Sequence, residues 1–244
     1  MWWRQAGGPK PSANPSRTSM LSRPLLSYSR VQRFCGALIR NRRLQLNNPR
    51  IRSLEYLDIG CGWNIHSHVL SIDFQWHPGV DLCWDVASCG IPFPDRSFKG
   101  IFSEHCLEHH PFPVAVQLLR ECHRVLKPSG VIRLVVPDAE LYIRSYLACL
   151  DGGAATAFPF PQDQERDGFV SPLLAVNRIF YQDRESPFGH CTMFDRHLLG
   201  AVLTQIGFID IKSQSFRTGR DAFLLLDTEE RWVESFAIEA SKPS

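Results

Sequence analysis

One stretch limits the fold more than any other: Leu54-Glu-Tyr-Leu-Asp-Ile-Gly-Cys-Gly62, with Asp73 eleven residues beyond Gly62. Leu57, Ile59 and their neighbours read as a short buried strand. It breaks at Gly60-Cys-Gly62, where a backbone can turn sharply and let a ligand approach closely. Asp73 closes the next apolar run, Leu70-Ser-Ile-Asp73, and a carboxylate there can accept from a pair of vicinal hydroxyls. A glycine turn followed by such an acid is how α/β sheets hold the ribose of a nucleotide-like group. Alone, Gly-x-Gly marks a turn and nothing more, so the surroundings decide.

Downstream the elements alternate. Strands are expected at 55–59, 69–74, about 80–84, 100–103 and 131–136. A helix is expected over about 113–126, with a stop at Lys127-Pro-Ser-Gly130 before the next β-branched run. Strands joined by helices or short loops argue for a mostly parallel sheet covered on both faces. Residues 138–190 interrupt the rhythm with a helix at 139–150, a Gly/Ala/Pro loop through 160 and a second helix near 173–182. An insertion at the C-terminal end of a strand is where substrate lids commonly sit. An amphipathic helix at 194–206 ending at Gly207, a strand at 208–215 and a last one at 235–239 complete the pattern. No internal repeat is present.

Charge divides the chain near residue 53. From Met1 to Leu54 there is no acid, and Lys10 with ten arginines gives +11; the remainder carries 16 basic against 25 acidic side chains. A basic arm, 1–53, therefore leads into an acidic domain, 54–244. Residues 1–27 lack periodicity and read as a leader without fixed structure. Their Ser- and Arg-rich, acid-free composition is also that of an organellar transit peptide, and Met20 offers a second start. Within about 28–43, Val31, Phe34, Cys35, Leu38 and Ile39 repeat at helical spacing among Arg30, Arg33, Arg40, Arg42 and Arg43. Such a helix either packs on the domain over the ligand site or lies on an anionic surface such as lipid headgroups. No apolar run approaches the ~20 residues of a membrane span. Eight cysteines without a Cys-x-x-Cys pair fit neither a disulfide framework nor a zinc knuckle, and favour a reducing, cytoplasmic setting.

Five pieces now stand in order: Leu57-Asp-Ile-Gly-Cys-Gly62, Asp85, Ile91-Pro-Phe-Pro-Asp-Arg-Ser-Phe98, Ser103-Glu-His-Cys-Leu-Glu-His109 and Arg124-Val-Leu-Lys-Pro-Ser-Gly130. Together they resemble the signature of class I S-adenosylmethionine (AdoMet)-dependent methyltransferases, particularly the small type 11 group. The similarity runs from about 54 to 137 and more weakly to the end. It implies a Rossmann-like, mostly parallel seven-stranded sheet in the order 3-2-1-4-5-7-6, the last strand antiparallel. It implies AdoMet as cofactor, with Gly60, Cys61 and Gly62 approaching its methionine and ribose portions and Asp58 supporting the turn or the amino group. Asp73 would take the ribose hydroxyls and Asp85 the adenine amino group, with Val86 against the ring. Ser103 and Glu104 would face the methionine end and the transferring methyl. Carboxylates there make sense, since they offset the desolvation of a sulfonium cation.

Three departures stand out. Trp63-Asn64 replaces the third glycine of the family's loop, and Asn is the next-best residue for positive φ. The gap from Gly62 to Asp73 is too short for a full helix, so a shortened connection after strand one is expected. Lys99, where an acid is usual, reads as a surface substitution.

Methyl transfer asks mainly for alignment of nucleophile, methyl and sulfur. An O or N nucleophile can also need a base; His105 is the first candidate and His190 the second, with His109 and Asp195 behind them. No metal is expected. His105-Cys-Leu-Glu108-His109 does spell the inverted zinc-peptidase motif, with Glu185 or Glu140 as a third ligand, and a non-catalytic AdoMet-fold scaffold is a further alternative. The acceptor class that fits best is a small molecule, a glycan or a lipid-linked compound. Nucleic acid fits less well, because the domain body is acidic.

Overall fold

The computed structural model describes residues 30–152, 158–180 and 189–244. Residues 1–29, 153–157 and 181–188 lie outside them, and with them the expected leader, the last residues of the helix expected near 173–182, and Glu185.

A seven-stranded sheet runs β3-β2-β1-β4-β5-β9-β8. Its strands are β1 (Tyr56–Ile59), β2 (Leu70–Asp73), β3 (Leu82–Cys83), β4 (Phe98–Glu104), β5 (Leu126–Pro137), β8 (Ile209–Gln214) and β9 (Ser235–Ser241). β6 (Glu165–Arg166) and β7 (Phe169–Val170) form a separate hairpin. Counting only the large sheet, the order is 3-2-1-4-5-7-6, as expected. Strands one to five pair in parallel, and β9 is antiparallel to both of its neighbours. β5 starts earlier than expected, at Leu126. The register slips between Phe98↔Leu126 and Gly100↔Val131, so Lys127–Gly130 forms an irregularity inside the strand.

Alternation along the strands separates two faces. Leu57, Ile59, Ile101 and Leu134 point to one, where α4 (Phe112–Val125) and α7 (Arg196–Ile206) supply Leu118, Leu119, Leu199 and Leu203. α7 begins where the Asp195 carboxylate accepts from Leu198 N at 2.7 Å, and it ends on left-handed Gly207 at φ +107°. Phe194 is not helical, because its backbone bridges to Asp138.

The opposite face is covered in a less usual way. The connection from β1 to β2, residues 60–69, contains no helix, whereas a parallel crossover ordinarily takes a dozen residues or more, usually with a helix. Phe102, Val135 and Ala237 are covered instead by Leu224 and Leu226 from the β8–β9 connection, with Trp232 of the short helix α8 (Glu229–Trp232) beside them. That cover is pinned by a buried ion cluster. Arg133, fully buried, donates to Asp227 Oδ1 at 2.7 Å and to Glu239 Oε1 at 2.9 Å. Charges this deep are tolerated because each has an ionic partner and a hydrogen bond.

Before the sheet, α1 (Arg30–Ile39) is followed by a 3₁₀ turn at Arg43–Asn47 and by α2 (Pro49–Ser53). Asn48 caps α2, Ile51 enters the main core, and Arg50 pairs with Asp81 at 2.7 Å. The end of the arm is thus packed into the domain. α1 is amphipathic, but its stripe does not face the body. Val31, Phe34 and Leu38 are 68%, 65% and 55% exposed, while Gly36 is the buried residue and sits against Trp76. The expectation that the stripe packs inward is corrected here: the small residue makes the close approach. The four-residue helix α3 (Val86–Cys89) follows β3. In the insertion, α5 (Ala139–Leu150) and α6 (Pro172–Phe180) enclose a small core of Tyr142, Phe158, Ala175 and Ile179. The β6–β7 hairpin and a 3₁₀ turn at Pro161–Gln164 were not expected.

Candidate active site

Parallel strands β1 to β4 end on one edge, the edge where open α/β sheets bind ligands. At the end of β1, Gly60 (φ +74°) and Gly62 (φ +51°) both need the left-handed region, for different reasons. A Cβ on Gly60 would lie 2.7 Å from the Cβ and Sγ of Cys106, so that glycine is demanded by the protein's own packing. A Cβ on Gly62 would meet only the Arg231 guanidinium at 4.0 Å, so it opens onto space. Cys61, between them, is buried, and its thiol is pushed well up, first by burial.

Asp73 ties the second strand end to this turn. One carboxylate oxygen accepts from Gly62 N at 2.9 Å and the other from Gln75 N at 2.6 Å. Asp85 caps α3 by accepting from Ala87 N and Ser88 N, and its own N–H donates to Asn41 Oδ1 at 2.8 Å. Val86 follows directly and packs against the core. The Ser103 hydroxyl donates to Ile59 O at 2.9 Å, so it ties β4 to β1 rather than pointing outward. Glu104 accepts from Thr228 N at 2.8 Å and from Thr228 Oγ1 at 2.9 Å.

These acids share one electrostatic setting. Asp58 is 2% exposed, and its Oδ1 has no hydrogen-bond partner among the described residues. Burial, then the Glu104 and Asp73 charges, hold its carboxyl well above the usual range, with Arg231 opposing. Asp73 is raised by burial against the pull of the Gln75 and Gly62 N–H groups. Glu104 is raised by burial against Thr228 and Arg231. Two buried carboxyls, Asp58 and Glu104, and the partly buried Asp73 thus crowd a glycine turn, with Arg231 as a nearby cation. An orphaned buried oxygen and a glycine that opens onto space fit a compact organic cation such as an α-amino sulfonium.

The remaining candidates gather at the end of β4. His105, at φ +50°, places Nε2 2.7 Å from Ser235 Oγ and Nδ1 3.5 Å from Glu108. His190 arrives from the insertion and donates Nδ1–H to Ile179 O at 2.8 Å; its ring centroid is 5.1 Å from that of His109. Burial lowers its pKa, with the Glu108 charge opposing. The two histidines proposed as bases are therefore neighbours of one carboxyl, Glu108. Asp195 is spent as the α7 cap. The inverted peptidase arrangement is absent: only Leu107–His109 form a 3₁₀ turn, and His105 stands before it in a different backbone region. Glu140 pairs with Arg144 at 2.6 Å. Lys99 pairs with Glu55 at the surface. Thr228 and Arg231 were missed from sequence, because no motif surrounds them.

Residues 75–134 match the family described as "Methyltransferase domain". No curated protein matches the chain. Among solved structures, the chain is similar to a SAM-dependent methyltransferase from Archaeoglobus fulgidus (17% identity, covering 86% of this chain and 94% of that one, TM-score 0.47). It is similar to one from Methanosarcina mazei (22%, 79% and 93%, TM-score 0.46). It is also similar to a Burkholderia thailandensis 1,6-didemethyltoxoflavin-N1-methyltransferase, solved with that substrate and S-adenosylhomocysteine (13%, 88% and 79%, TM-score 0.43).

Proposed function

We infer that this chain is a class I AdoMet-dependent methyltransferase, a reading supported by the match of residues 75–134 and by the strand order, and that it transfers methyl to an O or N nucleophile of a small molecule, glycan or lipid-linked acceptor. The observation that carries the reading is the set of buried carboxyls around the Gly60–Gly62 turn, above all the unpartnered oxygen of Asp58. AdoMet supplies an electrophilic methyl on a sulfonium. The chain's own task is then to bind and align. Gly62 leaves room for the ligand, Asp73 holds the turn shut behind it, and the Asp58 and Glu104 carboxyls, raised by burial, ionise against a bound cation. Asp85, with one oxygen spent on its cap, offers the other to the adenine amino group, and Val86 lies beside it. A base for the acceptor would come from His105 or His190, both at the end of β4.

Isothermal titration of the full chain with AdoMet tests the reading. One site per chain is expected, with affinity reduced at least about tenfold by Asp73→Ala, a loss of roughly 1.4 kcal/mol. Absence of binding by protein shown to be folded would favour a non-catalytic scaffold instead.

A second feature bears on partners and location. No helix among the described residues is long and apolar enough to cross a membrane. We place the protein in the cytoplasm, with α1 on an anionic membrane surface. The outward Val31–Phe34–Leu38 stripe beside Arg30, Arg33 and Arg42 supports that placement.

A further inference from the structure

Glu108 is the least explained carboxyl among the described residues. It is 1% exposed, and neither carboxylate oxygen has a hydrogen-bond partner among the described residues. His105 Nδ1 stands 3.5 Å from it and His109 Nε2 3.9 Å, both beyond a good hydrogen bond. Native structures rarely leave a buried carboxylate in that condition. Beside it, the candidate ligand atoms of Glu108, His109 and His190 all lie within 4.8 Å of one another.

The surroundings hold this trio in place. Cys191 N and Thr192 N both donate to Glu108 O, at 2.7 and 3.1 Å, and Thr192 Oγ1 donates to His110 O at 2.8 Å. The segment carrying His190 is thereby locked to the turn carrying Glu108. A carbonyl can only accept, so the 2.8 Å contact of His190 Nδ1 with Ile179 O places the ring proton on Nδ1. That leaves Nε2 with a lone pair. An imidazole fixed through its other nitrogen by a backbone carbonyl is the usual outer support of a metal ligand.

We propose that Glu108, His109 and His190 form a binding site for one divalent transition-metal ion of the zinc class. Two imidazoles and one carboxylate suit Zn(II) or Co(II) better than Mg(II) or Ca(II), which favour all-oxygen cages. Three protein ligands leave a position open for water or a substrate oxygen. His105, engaged with Ser235, stands outside the ligand set. The site does not depend on the carboxyls of the proposed AdoMet cradle; it shares only His190 with the methyltransferase reading, as a ligand in place of a candidate base.

The test uses untagged full-length protein stripped with a chelator. Titration with Co(II), followed by its d–d absorption, and with Zn(II), followed by calorimetry, is expected to show one ion per chain. Losing an outer partner ordinarily costs metal affinity about 10–100-fold, so losing a ligand in Glu108→Gln or His190→Ala should exceed that. Cys191→Ser, at an exposed thiol on the same segment, should bind as the parent does, and the Co(II) spectrum should lack thiolate charge transfer. Circular dichroism establishes folding of each variant. If Glu108→Gln does not fold, His190→Ala and the parent spectrum decide. No stoichiometric binding by folded parent protein, or binding undiminished in a folded ligand variant, overturns the site and leaves Glu108 as a neutral buried carboxyl.

Discussion

The two glycines of the turn should fail in different ways when given a methyl group. At Gly60, alanine must hold a φ near +74°, which costs a residue with a Cβ about 1–2 kcal/mol. Its Cβ would also lie 2.7 Å from Cys106, and overpacking of that kind costs a further ~1–3 kcal/mol. The sum is a loss of about 2–5 kcal/mol in folding stability. For a chain of this size a Tm falls roughly 2–4 °C per kcal/mol, so a drop of roughly 4–20 °C is expected. At Gly62, φ is +51° and the added Cβ meets only Arg231 at 4.0 Å. Gly62→Ala should therefore lose only the ~1–2 kcal/mol of backbone strain. Its methyl group would occupy the space assigned to the cofactor, so AdoMet affinity should fall about tenfold or more, at least 1.4 kcal/mol. Chemical denaturation measures the first variant and calorimetric titration the second. A double-mutant cycle with Cys106→Gly isolates the steric part. The coupling should be favourable and close to the overpacking term, because the clashing atoms are removed while the φ strain stays. The reasoning is refuted if Gly60→Ala is as stable as the parent, if the cycle shows no coupling, or if Gly62→Ala binds AdoMet normally.

Two further tests concern charge. Asp58 and Asp73, facing Glu104, Cys61 and Arg231 across the turn, have pKa values raised by burial. A raised folded pKa means the stability from these groups is complete below the ordinary aspartate value of about 3.9 and is lost as pH rises through the folded value. A bound cation favours the ionised forms, so binding should release protons and AdoMet affinity should rise with pH from the ordinary aspartate value of about 3.9 up through the raised folded values. S-adenosylhomocysteine, which lacks the sulfonium charge, should respond less. Calorimetry in buffers of differing ionisation enthalpy reads the proton count directly, and proton uptake on AdoMet binding would contradict the assignment. For α1, co-sedimentation with phosphatidylserine vesicles should exceed that with phosphatidylcholine and weaken as salt screens the arginines. Leu38→Glu, on the exposed stripe, should reduce it. Equal binding to both vesicle types, or none, would leave the stripe to a protein partner.

The strand, the glycine turn and Asp73 were legible because each follows from a local requirement: β-branched burial, positive φ, an acid at a strand end. The helix at 139–150 and the Gly207 stop were legible for the same reason. What covers the sheet was not. Residues 215–234 show no period, yet Leu224, Leu226 and Asp227 close a whole face and hold Arg133. The outward direction of the α1 stripe was equally hidden, since a period states which residues share a face and not what the face meets. His190 and Glu108 lie 82 positions apart, and only the docking of the insertion brings them together.

The same limit explains the wall from Trp63 to Ser71. With no helix of its own, it depends on contacts made from outside. Arg50 Nη2 donates to His66 O and Val69 O at 3.3 Å, the His77 ring bonds Gly62 O, and His68 Nε2 meets Phe223 O at 3.1 Å. Trp63 stacks on His77 with ring centroids 4.2 Å apart. A helical wall would be held by its own backbone ladder; this one is held by the arm on one side and the β8–β9 connection on the other. Its rigidity, and with it the shape of the turn at Gly62, is therefore coupled to the segment just before β1 and to one some 155 positions further along the chain. The basic arm is then a structural neighbour of the proposed cofactor site through α2, even where α1 turns its apolar stripe away.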